Sequence, residues 1–133
     1  MCSLFFLPRG DLQIYFSHLV HVLACYCISL LGTVGSKTYG IAKKANLIAV
    51  KVLKSTGGGS VANIVAGIDW VIAQQRQYGA VINMSLGTSK VFTPLNEAVE
   101  EAVKAGVTVV VAAGNSDVDA CTASPASATN AIT

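Results

Sequence analysis

Two short segments of this chain carry the residue types best suited to chemistry. Residues 83–87 (NMSLG) and 112–115 (AAGN) each follow an apolar run that breaks abruptly into small and polar residues. In an open α/β sheet, ligands bind at the carboxyl ends of the strands. Two neighbouring strands that end in this way would form a slot with bare backbone walls and one amide side chain, Asn115, at its rim. Such a slot suits an extended peptide, and the amide suits an oxyanion.

The pattern from Gly32 onward predicts the elements that would position these segments. Apolar runs rich in branched residues predict strands, and amphipathic stretches predict helices. The predicted order is a strand at 46–53, a helix from 61 to about 78, a strand at 80–84, a helix from 93 to 105 and a strand at 107–113. Ser60 is predicted to cap the first helix and Thr93 the second, with Pro94 at its first position. This alternation predicts an α/β fold, a parallel sheet with flanking helices.

Composition sets the class of protein. The chain has 133 residues, so it is one domain or part of one. Hydrophobic residues make up 53% and charged residues only 12%, which fits the unbroken apolar strands of a buried parallel sheet. The net charge is +2 and no stripe of Lys or Arg forms, which argues against nucleic acid as a partner. The cysteines Cys2, Cys25, Cys27 and Cys121 fit neither a disulfide framework nor a zinc site.

Residues 1–31 differ from the rest, and we treat them as an unrelated hydrophobic segment ahead of a domain at 32–133. Residues 12–31 contain no Asp, Glu, Lys or Arg and are long enough to span a bilayer. Three interpretations stay open: a secretory signal, a membrane anchor, or translated non-coding or mis-joined sequence. Pro8, Gly10 and Asp11 spoil the charged-then-apolar order of a signal peptide. A membrane is therefore a partner only if residues 12–31 are a genuine anchor.

Residues 32–133 resemble the middle of a subtilisin-like serine peptidase of the proteinase K branch. Six segments carry the resemblance, in the family's order and at the family's spacing. They are residues 32–36 (GTVGS), 39–47 (YGIAKKANL), 50–53 (VKVL), 82–87 (INMSLG), 111–115 (VAAGN) and 124–127 (SPAS). The resemblance implies a partial subtilisin-like fold and a serine-type endopeptidase whose substrate is a polypeptide.

The resemblance also implies roles for residues of the two segments. Asn115 would be the oxyanion-hole donor, since it stands in the family's Ala-Ala-Gly-Asn pattern. A bound peptide would lie as a strand between two backbone walls. The residues of those walls would be Gly57, Gly58, Gly59, Ser85, Leu86 and Gly87. Three small residues, Ala112, Ala113 and Gly114, would line the pocket for the side chain before the cut and leave it open to large apolar groups.

Much of the family's catalytic machinery has no counterpart here. The family uses an Asp, a His and a Ser far apart in sequence. Nothing in residues 1–31 resembles the strand that carries the Asp, and no serine lies in the family's nucleophile motif. His18 is a candidate for the catalytic His by spacing alone, because Leu19 and Val20 replace the small residues of the family's run. We therefore leave open whether this is an enzyme, and we expect the chain by itself to be inactive.

The family pattern bears on cofactors and compartment as well. We expect no cofactor. Calcium is possible in an intact family enzyme, where backbone carbonyls near Thr129 and Ala131 would contribute, but the carboxylate of that site would lie beyond Thr133. Family members are commonly secreted, which implies an extracellular protein, although residues 1–31 do not form a convincing signal peptide.

Two rival functions can be set against the peptidase. Gly57, Gly59 and Ala62 have the spacing of a dinucleotide-binding turn, but no carboxylate ends the next strand to hold a ribose. The other rival is a non-catalytic protein, either a pseudo-peptidase or a peptide-binding remnant, and the incomplete triad favours it.

Overall fold

The computed structural model describes residues 3–7, 32–54, 56–74 and 79–133. The helices and strands, in chain order, are β1 (Ser3–Leu7), β2 (Asn46–Val50), α1 (Val61–Gln74), β3 (Ala80–Met84), α2 (Thr93–Lys104) and β4 (Val107–Val111). A short 3₁₀ helix, Ala120–Thr122, follows.

The four strands form one sheet in the order β2-β1-β3-β4. β3 and β4 are parallel, and β1 is antiparallel to both of its neighbours, β2 and β3. It follows that β2, β3 and β4 all run in the same direction, and the predicted α/β class is confirmed. The sequence did not predict β1, because its residues lie in the segment that we set apart. Without β1, the facing edges of β2 and β3 would present unpaired N–H and C=O groups. The apolar strand β1 pairs with both edges.

Two strands are shorter than predicted. β2 ends at Val50, so residues 51–53 leave the ladder, although Val52 and Leu53 stay buried. β4 ends at Val111, before the two alanines. Continuous hydrophobicity marks burial, but it does not show where strand pairing ends, and this is why the predicted strands were too long.

The start of α1 is as predicted, and the start of α2 is not. The N–H of Asn63 donates to Ser60 Oγ at 3.2 Å, so Ser60 caps α1. For α2, the predicted cap at Thr93 is wrong by one residue. The cap position is Phe92, whose carbonyl accepts the first helical hydrogen bonds and whose side chain makes no capping bond. Its N–H is bound instead by the hydroxyl of Ser124, at 2.7 Å, which fixes the entry to the helix.

The core lies between the sheet and the two helices. Alternate residues of β3 and β4 point into it, and each helix contributes one face. The most deeply buried side chains are Ile68, Ile82, Met84, Leu95, Val99, Val107 and Val109. Met84 and Val111, at the carboxyl ends of β3 and β4, are part of this core.

None of the helices in the described part of the chain is long and apolar enough to cross a membrane. Residues 12–31, for which an anchor was one interpretation, lie outside the described residues.

Candidate functional site

Residues 85–87 and 112–115 leave the sheet at the same level. Met84 and Val111, the last residues of β3 and β4, are partners in the parallel register. One residue further on, the N–H of Ala112 still donates to the carbonyl of Met84 at 3.1 Å. The two segments therefore start side by side at the carboxyl edge of the sheet. This is the edge where the sequence predicts a slot.

The 85–87 segment is anchored at its middle and open at its end. Leu86 is buried, whereas Gly87 is exposed. The amide nitrogen of Asn83 donates to Ser85 Oγ at 3.1 Å, which holds the first residue of the segment. The segment thus has one buried side chain and an exposed glycine, an arrangement that leaves its backbone approachable from outside.

A reciprocal pair of residues fixes the chain just after Gly87. The N–H of Thr88 donates to the carbonyl of Ser124 at 2.8 Å, and the N–H of Ser124 donates to Thr88 Oγ1 at 3.1 Å. Ser124 is fully buried and also binds the N–H of Phe92. The sequence did not predict either role. The one relevant signal in the sequence was the Ser124-Pro125 pair. It carries part of the family resemblance, but it does not indicate which residue Ser124 bonds to.

The glycine loop, Gly57–Gly59, lies beyond the carboxyl end of β2 and is closed by its own backbone. The N–H of Gly57 donates to the carbonyl of Lys54 at 3.0 Å, and the N–H of Lys54 donates to the carbonyl of Gly58 at 2.7 Å. Gly57 has φ +86°, where glycine is favoured. A Cβ on Gly59 would meet the side chain of Leu53 and lie 2.9 Å from the carbonyl oxygen of Val52, whereas Gly58 has open space.

The glycine loop and the 85–87 segment follow two strands that are separated by one other strand. β1 lies between β2 and β3, so their axes are about 10 Å apart, two strand spacings. A peptide that pairs with a backbone wall on each side needs the same separation. The spacing of the strands is therefore compatible with the predicted pair of walls.

Asn115 ends the other segment and is exposed. Gly114, just before it, has φ +120°, and Asp117, two residues after it, has φ +52°. Within the described part of the chain, the Asn115 amide makes no hydrogen bond. Of the predicted pocket residues, Ala112 is half-buried, while Ala113 and Gly114 are exposed. The amide is thus available to an incoming acceptor.

The predicted site residues that the structure describes carry no titratable side chain. His18 lies outside the described residues. Hydrogen bonds from Asn130 lower the pKa of Glu100, and the contact with Asp119 raises the pKa of the Cys121 thiol, but neither belongs to the two segments. The described site residues at this edge therefore offer backbone groups and one side-chain amide for hydrogen bonding, and none of them has a side chain that could act as a general base.

Side chains that commonly bind metal ions do not cluster in the part of the chain that the structure describes. Across residues 3–7, 32–54, 56–74 and 79–133 no group of three His, Cys, Asp or Glu side chains could hold a metal ion. Near Thr129 and Ala131, the carboxylate of Glu100 is already used by the backbone N–H and the amide group of Asn130.

Comparison with known proteins identifies the family. The model of the subtilase family matches residues 24–133. The chain belongs to the subtilase family. The match starts within residues 1–31, upstream of the boundary that we placed at Gly32.

Individual relatives agree with this assignment. A cuticle-degrading serine protease from Orbilia oligospora is 53% identical over 102 residues, which are 77% of this chain and 24% of that protein. An extracellular serine proteinase from a Thermus species is 48% identical over 126 residues, 95% of this chain and 28% of that protein. The crystal structure of a cold adapted subtilisin-like serine proteinase superposes with a TM-score of 0.68 at 42% identity, covering 72% of this chain and 34% of the other. The chain thus spans about a quarter of the length of the curated relatives it matches.

Proposed function

We propose that this subtilase chain forms the substrate-binding and oxyanion-stabilising part of a serine endopeptidase that hydrolyses polypeptides. The proposal rests on the observation that β3 and β4 end at the same level, so that residues 85–87 and 112–115 begin side by side. Family membership supplies the reaction class, and the bare backbone and exposed amide supply the chemistry.

In this proposal, the substrate lies extended between the glycine loop and the 85–87 segment and pairs with both backbones. The side chain before the scissile bond enters the space beside Ala112, Ala113 and Gly114, where small residues leave room for large apolar groups. The exposed amide of Asn115 donates to the carbonyl oxygen as it becomes negative in the tetrahedral intermediate. Each role uses binding or hydrogen-bond donation, which the described residues can supply.

None of the described residues to which we assign a role is a catalytic Asp, His or Ser, and His18 is a candidate for the catalytic His by its spacing alone. We infer that the chain alone does not hydrolyse peptides at ordinary enzyme rates, since the oxyanion donor and binding groups give only weak residual assistance without the nucleophile. We expect no cofactor for its own chemistry. An extracellular location follows by analogy with the Thermus relative, which is named an extracellular proteinase.

A non-catalytic peptide-binding protein is the second candidate. The observation that favours it is the lack of a titratable side chain among the described site residues. Both candidates require the same groove, and they differ only in turnover.

Peptide binding to the purified full chain tests the groove. The probe is a fluorescent six-residue peptide of small residues with one central Phe, followed by fluorescence anisotropy. The matched control is the same peptide with alternate backbone nitrogens methylated, which keeps the side chains and removes half of the strand-pairing donors.

Saturable binding of the unmodified peptide, much weakened by methylation, is the expected result. Equal binding of both peptides, or of neither, would contradict strand pairing in this groove. Mass spectrometry of the peptide after incubation then separates the two candidates, because inhibitor-sensitive cleavage at enzyme rates requires a complete catalytic apparatus.

A further inference from the structure

The Asn115-Ser116 pair combines the features that make an asparagine chemically unstable. Asn115 is exposed, and Ser116, which follows it, is small and exposed. Within the described part of the chain, neither the Asn115 amide nor the Ser116 backbone N–H is engaged in a hydrogen bond. The pair also lies in a loop, outside any helix or strand, where no ladder restrains the backbone.

Such a pair can react with itself. The Ser116 backbone nitrogen, after losing its proton to base, attacks Cγ of Asn115 and forms a new C–N bond. The bond between Cγ and the amide nitrogen of Asn115 breaks, and that nitrogen leaves as ammonia after taking a proton from water. Water then adds to either carbonyl of the five-membered imide, opening it to aspartate or isoaspartate. The reaction needs only water and base, and asparagine is among the thermolabile residues for this reason.

The other asparagines in the described chain are better protected. Four lie in strands or helices and precede larger residues: Asn46, Asn63, Asn83 and Asn96. Asn130 is exposed and precedes the small Ala131, so it resembles Asn115 in sequence. However, both its amide group and its backbone N–H donate to the carboxylate of Glu100, which holds the residue in place.

The structure assigns Asn115 as the position of spontaneous deamidation in this chain. The modification itself does not depend on the proposed function. The consequence of the modification rests on the proposed function. Deamidation would replace the oxyanion donor with a carboxylate, which removes an N–H and places a negative charge beside the oxygen that becomes negative during the reaction. Deamidation at Asn115 would then act as an irreversible, time-dependent loss of the oxyanion site.

Peptide mapping by mass spectrometry measures the modification directly. The full chain is incubated at neutral and at mildly alkaline pH, and the deamidated fraction at each asparagine is followed with time. We expect Asn115 to deamidate several-fold faster than any other asparagine and faster still at the higher pH, since the attacking nitrogen must lose a proton. Ser116→Val, which puts a branched side chain next to the attacking nitrogen, should slow it, and Ser116→Gly should accelerate it.

Asn130 provides the matched control within the same molecule. Glu100→Ala removes the acceptor that holds Asn130, so the rate at Asn130 should rise while that at Asn115 is unchanged. The rate at Asn130 should still stay below that at Asn115, because the attacking Ala131 N–H keeps its hydrogen bond to the Ala128 carbonyl at 3.4 Å. Equal rates at Asn115 and Asn130 in the unaltered chain would overturn the assignment, as would faster reaction at Asn46, Asn63, Asn83 or Asn96. These rates stand apart from the peptide-binding result, so failure of one proposal is distinguishable from failure of the other.

Discussion

Thr88 and Ser124 hold each other across 36 residues of chain by hydrogen bonds in both directions. The N–H of each donates to an oxygen of the other, and the hydroxyl of Thr88 lies 3.0 Å from the Ser124 carbonyl oxygen. Because Thr88 directly follows Gly87, this pair sets where the 85–87 segment ends. The position of one predicted wall of the groove therefore depends on a residue far away in sequence.

Thr88→Val should weaken peptide binding and lower stability. The substitution keeps the shape of the side chain and removes the hydroxyl that accepts from the Ser124 N–H. We expect a loss of about 0.5–1.5 kcal/mol in the free energy of unfolding, measured by urea titration. Thr88→Ser retains the hydroxyl and should restore both properties. Equal peptide affinity for the valine and serine variants would show that the pair does not position the segment.

Ser124→Ala should cost more, because Ser124 is fully buried. Its hydroxyl binds the N–H of Phe92 at the start of α2, and alanine leaves that donor without its partner. We expect about 1–3 kcal/mol of destabilisation in the same urea titration. Thr122→Val, which removes an exposed hydroxyl bonded within its own turn, is the control. A change no larger than that of the control would contradict the role of Ser124.

The glycine loop allows a paired test of close packing. Gly59→Ala would push a methyl group against Leu53 and the carbonyl of Val52, whereas Gly58→Ala adds the same methyl group in open space. We expect Gly59→Ala to lower the free energy of unfolding by about 1–3 kcal/mol and Gly58→Ala to change it little. Thermal unfolding followed by circular dichroism measures both. Similar midpoints for the two variants would be inconsistent with this packing.

The contact between Glu100 and Asn130 predicts how stability depends on pH. Hydrogen bonds from Asn130 lower the pKa of Glu100 in the folded chain, so its stabilising effect is fully present above the pKa of an ordinary glutamate. The effect is lost as the pH falls through the lowered value. Urea titrations across the acidic range should show this loss, and Glu100→Gln should flatten the curve there. An unchanged curve in the variant would exclude this contribution. The neighbouring ion pair between Lys104 and Glu101 is present in both the unaltered chain and the Glu100→Gln variant, so it does not account for a difference between their curves.

Much of the fold could be predicted from the sequence, since its strands and helices have clear periodicity. Ser60 was identifiable as a cap because its hydroxyl acts within its own turn. The cap position at Phe92 could not be identified in this way, because it depends on a hydrogen bond to Ser124, which is distant in sequence. Likewise β1 is set by the unpaired edges of β2 and β3, which no local pattern reveals. At the candidate site, the small residues and Asn115 stood out by type, whereas Thr88 is fixed by long-range hydrogen bonds.

The most direct test of the central proposal, that Asn115 donates to a developing oxyanion, is kinetic. Residues 32–133 would replace the matching region of the Orbilia oligospora protease, and peptide hydrolysis would be measured for the hybrid and for its Asn115→Ala variant. We predict that kcat falls by about 10²–10³-fold with little change in KM, a range established for the corresponding donor in subtilisin, a member of this family. Asn63→Ala, at an exposed asparagine on α1, should leave both constants unchanged. An unaltered kcat in the Asn115→Ala hybrid, or an effect confined to KM, would contradict the proposed role.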